Sequence, residues 1–463
     1  MTIHPDLLQQ LEHVVGADHF TACHEDLICY GYDATAALYV PDAVVFPASS
    51  KQVSRIMQLA AVYRTPVIPR GGGSGMTGGA LAVHGGIVVV FNRMNRIVEI
   101  DQRNLVARVQ PGVITAAFQA RVKQLGLFYP PDPASARFST LGGNLAECAG
   151  GPKAVKYGVT RDYVLGLEAV LPTGEIVRTG VRTAKGVVGY DLTRLLVGSE
   201  GTLALITEAT VKLLPLPESV ATLTVAFRTM NAAARAVSDI ICSHMVPRTI
   251  EFMDNASIRL AEGYLHSGLP VDAGALLIME VDGKKDAVKQ AVRALEDLSR
   301  QLGAVSVTVA KTKAEAQRLW QARKAISPAL FKLAPHKINE DIVVPRSRIP
   351  DLVAKIDALR RRTGLTMVAF GHAGDGNIHF NIMLDKSDQS ALDKANRAVE
   401  ALFDTTLALG GTISGEHGVG ITKAPYLRKE VDEAVLLLMQ RIKQAFDPLG
   451  LLNPGKIFPG SIQ

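Results

Sequence analysis

The chain has 463 residues, of which 48% are hydrophobic and 20% charged, and its formal net charge is +6. That length exceeds one ordinary core and predicts two or three domains of a folded protein. Basic residues are scattered, with short clusters such as Arg360-Arg-Arg362 and no interleaved aromatics; this argues against a nucleic-acid partner and leaves a weak attraction to anionic substrates or membrane surfaces.

Residues 5–16 predict an amphipathic helix, with Leu7, Leu8, Leu11, Val14 and Val15 on one face. A short strand over 44–46 precedes a Ser-capped helix over 50–63. The segment Pro66-Val-Ile-Pro69 then enters a glycine cluster. Strands follow at 86–91, 97–100 and 105–109, and residues 164–178 predict a β-hairpin turning at Pro172-Thr-Gly174. Near Pro215-Leu-Pro217 the texture changes. Strand 220–227, helix 232–241, strand 276–281, helix 286–302 and strand 304–310 give a β-α-β order that suggests a ferredoxin-like sheet covered by helices. A helix over 315–330, a strand at 342–344, a helix over 349–362 and a strand at 367–370 lead into two His-rich loops. After a final helix, the tail Leu451-Leu-Asn-Pro-Gly-Lys456 reads as a turn.

Cys23, Cys29, Cys148 and Cys242 show no CxxC or ferredoxin-type spacing, so no iron–sulfur cluster is expected on this chain. They read as reduced thiols of a cytoplasmic protein. The start, Met1-Thr-Ile-His-Pro5, lacks a signal-peptide pattern. No apolar run approaches the roughly 20 residues of a membrane span. The expected location is cytoplasmic, with any membrane contact peripheral and at the inner face.

The cluster Arg70-Gly-Gly-Gly-Ser-Gly-Met-Thr-Gly-Gly79 contains GxGxxG at Gly73, Gly75 and Gly78. A dinucleotide fingerprint also needs a helix opening on the last glycine and an acidic residue about 20 positions on. Residues 80–86 start a helix poorly, and Asp101 comes too late. A flexible loop remains open, beside a loop whose backbone N–H groups form a nest around a pyrophosphate. Two further runs favour a large cofactor: Pro130-Pro-Asp-Pro133 with Ser139-Thr-Leu-Gly-Gly-Asn144 and Lys156-Tyr-Gly158, then Gly198-Ser-Glu-Gly-Thr-Leu203.

Gly371-His-Ala-Gly-Asp-Gly-Asn-Ile-His379 and Ser414-Gly-Glu-His-Gly-Val-Gly420 gather His372, His379, Asn381, Glu416 and His417 around two Gly-rich stretches. Two imidazoles and a carboxylate suit a first-row divalent ion, zinc first, with manganese or iron as alternatives. His417 is then free for proton transfer. By itself, the same donor set also suits a metal-dependent hydrolase.

Taken together, these motifs resemble the vanillyl-alcohol-oxidase (PCMH)-type flavoproteins. Within them the chain is similar to the FAD-linked D-2-hydroxyacid dehydrogenases: D-lactate dehydrogenase, D-2-hydroxyglutarate dehydrogenase and the glycolate oxidase large subunit. The likeness runs from about Pro41 to Phe458 and includes Leu452-Asn-Pro-Gly-Lys456. It implies an α+β architecture: an FAD-binding domain of two subdomains at 1–215, a ferredoxin-like antiparallel-sheet cap with a metal site at 216–420, and a segment at 421–463 that returns to the FAD domain. By this resemblance Arg70, Gly71, Gly72, Gly73, Ser74, Gly75 and Gly79 hold the pyrophosphate. Pro131, Thr140, Gly143, Asn144, Tyr157, Glu200, Gly201 and Ile206 line FAD. The glycine loop offers no His or Cys for a flavin bond, so FAD is expected to be non-covalent.

The resemblance also assigns the chemistry. His372, His379 and Glu416 match metal ligands, His417 a base, Asn381 a contact to metal-bound substrate, and Arg323 a carboxylate-binding arginine with Lys337 as a second contact. Ser327 stands where the family often has Thr. The implied reaction oxidises a D-2-hydroxy acid to the 2-keto acid, D-lactate first, with D-2-hydroxyglutarate and glycolate as alternatives. A hydroxy acid can chelate the ion through carboxylate and hydroxyl, which lowers the hydroxyl pKa. Electrons then leave to an external acceptor: a quinone, a cytochrome, an electron-transfer flavoprotein or an iron–sulfur subunit. Homodimerisation is compatible with these motifs, and so is the role of a non-catalytic flavoprotein subunit in a glycolate-oxidase-like complex.

Overall fold

The computed structural model describes residues 3–458, as two compact units. One comprises Met1–Gly150, Val159–Leu216 and Glu416–Gln463; the other comprises Gly151–Gly158 and Pro217–Gly415. These cuts place 151–158 with the second unit and 416–420 with the first, where the sequence-based division cut at 215 and 420.

In the first unit, strands Ala43–Val45, Ile87–Val90 and Val67–Arg70 run parallel, and Phe20–Thr21 pairs antiparallel at the edge. Helices Pro5–Val15 and Ser50–Tyr63 bring Leu7, Leu11, Val53, Ile56 and Met57 into the core with Val45, Val67, Ile87 and Val89 of this sheet. Each such side chain contributes about 1.5–3 kcal/mol through burial. The second helix is capped by Ser49, whose hydroxyl accepts from the Gln52 amide. An antiparallel sheet of five strands follows, in the order Ile97–Asp101, Val106–Val109, Leu205–Lys212, Val164–Val170, Ile176–Gly180. Its last two strands form the expected hairpin.

The chain's end is tied back into this unit. The Val67 amide donates to Leu451 O and the Asn453 amide to Val67 O. From helix Glu433–Phe446, the buried Lys443 donates to the carbonyls of Thr202 and Leu452.

The second unit is built on an antiparallel sheet of seven strands, ordered Ser306–Val309, Ser219–Phe227, Ala275–Gly283, Thr249–Asp254, Thr366–His372, Asn377–Leu384, His336–Val343. It extends the expected β-α-β sheet. Helices Asn255–Leu265 and Lys313–Ala329 cover one face, through Ile258, Ala261, Ala322 and Ile326 against Met253, Leu276, Ile278, Val368 and Phe370.

The expectation of a His-rich loop at 371–379 is corrected. His372 closes one strand and His379 is the third residue of the next. The run Asn377-Ile-His-Phe-Asn-Ile alternates polar and apolar residues, which suits a pleated strand. Only 373–376 turn, and Gly376 adopts φ +93°, open to glycine at little cost.

Candidate functional site

In the first unit, strand Val67–Arg70 delivers the glycine loop into a cleft of about 1310 Å³, partly open to solvent. Arg70, Gly71, Gly72, Gly73, Ser74, Gly75 and Gly79 line it, together with Thr140, Gly143, Asn144, Glu200, Gly201 and Ile206. Glu416 and His417 line the same cleft. Pro131 and Tyr157 are not among the residues that line it. Pro131 uses its carbonyl to accept from Gln119 Nε2 at 2.7 Å, and from the same motif Pro133 lines the cleft. Tyr157 belongs to the second unit, where its hydroxyl donates to Asp282 at 2.8 Å.

The cleft fits a dinucleotide-sized anionic cofactor. A Cβ at Gly71 would lie 2.4 Å from Thr140 Oγ1, and one at Gly72 would lie 2.3 Å from Phe138 O, so the loop packs closer than any side chain allows. At Gly75 a Cβ would meet nothing within 4 Å. Among the described residues, the amides of Gly72, Gly73, Ser74 and Gly75 donate to no other backbone carbonyl, which leaves donors for phosphate oxygens. The Arg70 guanidinium is buried; one nitrogen donates to Tyr32 O at 2.8 Å, and Nη1 has no partner.

Carboxyls gather below the loop. Glu200 accepts from the amides of Val419 and Gly420 at 2.7 Å each, and Thr77 Oγ1 donates to His417 O at 2.9 Å, which fixes the 416–420 segment in this unit. Burial pushes the Glu147 carboxyl well above its ordinary range, and the charges of Glu200 and Asp33 push it further. Burial likewise raises Glu200, against its two amide donors. Lys456 is pushed down to about 8 by burial, partly opposed by Glu200, Asp33 and Glu147.

In the second unit, the paired strands stack functional groups on one sheet face, because directly opposed residues point the same way. His372 lies opposite Glu251, His379 opposite Asp341, and Asn381 opposite Asn339. Nε2 of His372 and Nε2 of His379 face each other at 3.4 Å, and both rings are largely buried. Behind them, Glu251 Oε1 lies 2.5 Å from His372 Nδ1, and Asp341 Oδ1 lies 3.8 Å from His379 Nδ1. The Glu251 carboxylate on Nδ1 favours the His372 tautomer with a lone pair on Nε2. That lone pair faces the second imidazole nitrogen, and two ring nitrogens turned toward each other fit a divalent metal.

Arg323, on helix Lys313–Ala329, joins the same cluster. Its Nε is 2.7 Å from Glu251 Oε2, an ion pair bent away from straight hydrogen-bond geometry, and its guanidinium carbon sits 4.7 Å from the Phe370 ring centre. Burial alone would raise the Glu251 carboxyl, but His372 and Arg323 outweigh it and hold the group below its ordinary range. Lys337 donates to Ser327 Oγ at 3.1 Å, and burial lowers its pKa. Asn381 is fully buried and accepts from Asn339 Nδ2 at 2.7 Å. Trp320 packs at the core margin and also donates to Glu280 at 2.6 Å.

Sequence reasoning missed Glu251, Asp341 and Asn339. The one signal for Glu251 is a lone acid in an otherwise apolar stretch, Thr249-Ile-Glu-Phe-Met253. Glu416 and His417 belong to the first unit, and His372, His379, Arg323, Lys337 and Asn381 to the second.

Comparison with known proteins agrees with this architecture. Residues 216–457 match the family described as FAD linked oxidases, C-terminal domain, and residues 41–180 match the FAD binding domain family. The chain is 45% identical over 454 residues to a glycolate oxidase subunit GlcD of Bacillus subtilis, covering 98% of this chain and 97% of that one. It is 33% identical to a D-lactate dehydrogenase of Anaerostipes hadrus, covering 94% and 92%. A p-cresol methylhydroxylase structure superposes with a TM-score of 0.82 at 16% identity, covering 98% and 96%; this likeness concerns the fold. The chain belongs to the FAD-linked oxidases, and its fold is of the vanillyl-alcohol-oxidase (PCMH) type. It is a flavoenzyme that uses FAD.

Proposed function

We propose that this enzyme oxidises a small 2-hydroxy acid, glycolate or D-lactate, to the corresponding 2-oxo acid. The observation that carries the reading is the pairing, on one sheet face, of two metal-suited imidazoles with an arginine held by the carboxylate behind one of them. An imidazole pair suits a metal that chelates carboxylate and hydroxyl, and the arginine fork suits the carboxylate. The names of the relatives support both substrates, with glycolate ahead by identity. D-2-Hydroxyglutarate would need room for a second carboxylate.

His372 and His379 would hold the ion, with Glu416 as the third ligand on the sequence reading. Arg323 would bind the substrate carboxylate, with Lys337 beside it, and Asn381 would contact the substrate held there. His417 takes the hydroxyl proton as the C2 hydrogen leaves. When bound, FAD supplies the two-electron acceptor and the divalent ion a Lewis acid. The glycine loop and Arg70 hold FAD non-covalently. The first unit would serve as the FAD domain and the second as the substrate domain, with the segment from Glu416 onward, which carries the returning tail, grouped with the first.

The electrons pass on to an external acceptor, a quinone, a cytochrome, an electron-transfer flavoprotein or an iron–sulfur subunit. Relatives named as subunits support a partner chain. Among the described residues no helix is long and apolar enough to cross a membrane. A hydrolase reading leaves the FAD cleft without a role. The test is an anaerobic stopped-flow screen of D- and L-2-hydroxy acids that follows flavin bleaching. Glycolate or D-lactate should bleach the flavin and L-lactate should not. Failure of every D-acid and of glycolate overturns the proposal and favours a scaffold subunit.

A further inference from the structure

Glu251 is fully buried, and both of its oxygens are committed: Oε1 to His372 Nδ1 at 2.5 Å and Oε2 to Arg323 Nε at 2.7 Å. Its place is set by the sheet, because Glu251 lies directly opposite His372 in the pairing of Thr249–Asp254 with Thr366–His372. Arg323 comes from a different element, the covering helix, where it is clamped between Glu251 and the Phe370 ring. One side chain therefore connects the group suited to a metal with the group suited to a carboxylate.

We propose that Glu251 is a positioning residue, a bracket that fixes the distance between the metal and the substrate's carboxylate. Its Oε1 holds the His372 ring in the tautomer and rotation that turn Nε2 toward His379. Its Oε2 engages Arg323 through Nε, and among the described residues the guanidinium has no other ion pair or hydrogen bond, so its Nη atoms remain as the fork for a carboxylate. A 2-hydroxy acid binds through both groups at once, so their spacing must be held within a fraction of an ångström for productive geometry. A glutamine would keep the packing but present an NH2 donor to one of the two partners and no charge to either, so at most one weakened attachment survives.

This inference rests on the hydroxy-acid reading above. Its test uses the FAD-loaded protein, Zn²⁺ as the metal probe and glycolate and D-lactate as substrates. Glu251→Gln should keep its FAD. Its dissociation constant for Zn²⁺ should rise about 10- to 100-fold, and KM should rise at least tenfold on the logic of lost substrate orientation. Saturating Zn²⁺ should restore kcat in part and leave KM raised. Glu251→Asp keeps the charge with one carbon less; it should recover Zn²⁺ affinity relative to Gln, and it carries the test if the Gln variant fails to fold. Unchanged Zn²⁺ affinity and KM in the folded variant, with only thermal stability reduced, would overturn the bracket and leave a structural acid. A wild-type enzyme that binds Zn²⁺ but ignores both acids would instead overturn the hydroxy-acid reading; the Zn²⁺ comparison would still judge Glu251 by itself.

Discussion

At the scale of the residue, charge decides more than shape. Arg323 offers a planar fork, and lysine at the same place is a point charge that cannot reproduce it. Arg323→Lys is expected to lower kcat/KM for the hydroxy acid roughly 10- to 100-fold, chiefly through KM, with FAD content unchanged; steady-state kinetics checks this. Glu147 makes the opposite case, a carboxyl whose burial and acidic neighbours disfavour its charged form. Its pKa in the folded chain lies above the ordinary 4.5. Its contribution to stability is therefore complete below that value and is lost as pH rises through the folded pKa. Lys456, at about 8, stays charged in most of the window below neutrality and does not blur the sign. As pH rises above 5, the melting temperature of the wild type should fall relative to that of Glu147→Gln. Parallel curves for the two proteins would contradict a raised Glu147.

At the scale of the element, the hairpin that presents His372 and His379 depends on its turn. Gly376 sits at φ +93°, and a Cβ there would lie 2.0 Å from Val344 O. Gly376→Ala should destabilise the protein by at least about 2 kcal/mol, since it combines positive φ with a backbone clash. Gly364, at φ +65° with nothing within 4 Å, is the control, and its alanine variant should cost only about 1 kcal/mol. Denaturant unfolding separates the two, and equal costs would mean that the clash relaxes away. This hairpin also shows where local sequence signals fail. The spacing of Leu7, Leu11 and Val15 identifies the first helix, and the Pro-Thr-Gly turn identifies the 164–180 hairpin, because both signals are local. In 371–379 the glycines mask a strand alternation, so the histidines read as loop residues although the sheet fixes them.

At the scale of the whole molecule, remote segments converge within each unit. Asn453 Nδ2 donates to Gly79 O and Glu200 O at 2.8 Å each, tying the C-terminal tail to both flanks of the cofactor cleft. Asn453→Ala leaves two buried carbonyls unpaired, at about 1–3 kcal/mol each, and should weaken FAD retention at least tenfold; flavin release on dilution checks this. Such convergence limits what sequence reading reaches. The glycine loop, His372 and His379 stand out because their residue types are rare in those settings, and Arg323 is reached only through the family resemblance. Glu251 does not, because its partner His372 lies 121 positions away and only the folded sheet brings them together. Pro131 and Tyr157 read as flavin contacts from their motifs; in the fold the Pro131 carbonyl accepts from Gln119 and the Tyr157 hydroxyl donates to Asp282.

The central claim is that the imidazole pair holds a metal through which a hydroxy acid is oxidised by FAD. Anaerobic flavin reduction by glycolate or D-lactate, in enzyme stripped by a chelator and then resupplied with Zn²⁺ or Mn²⁺, tests it most directly. The account predicts that stripping abolishes bleaching with the flavin still bound, and that the metal restores it. Undiminished bleaching in fully stripped enzyme would contradict it.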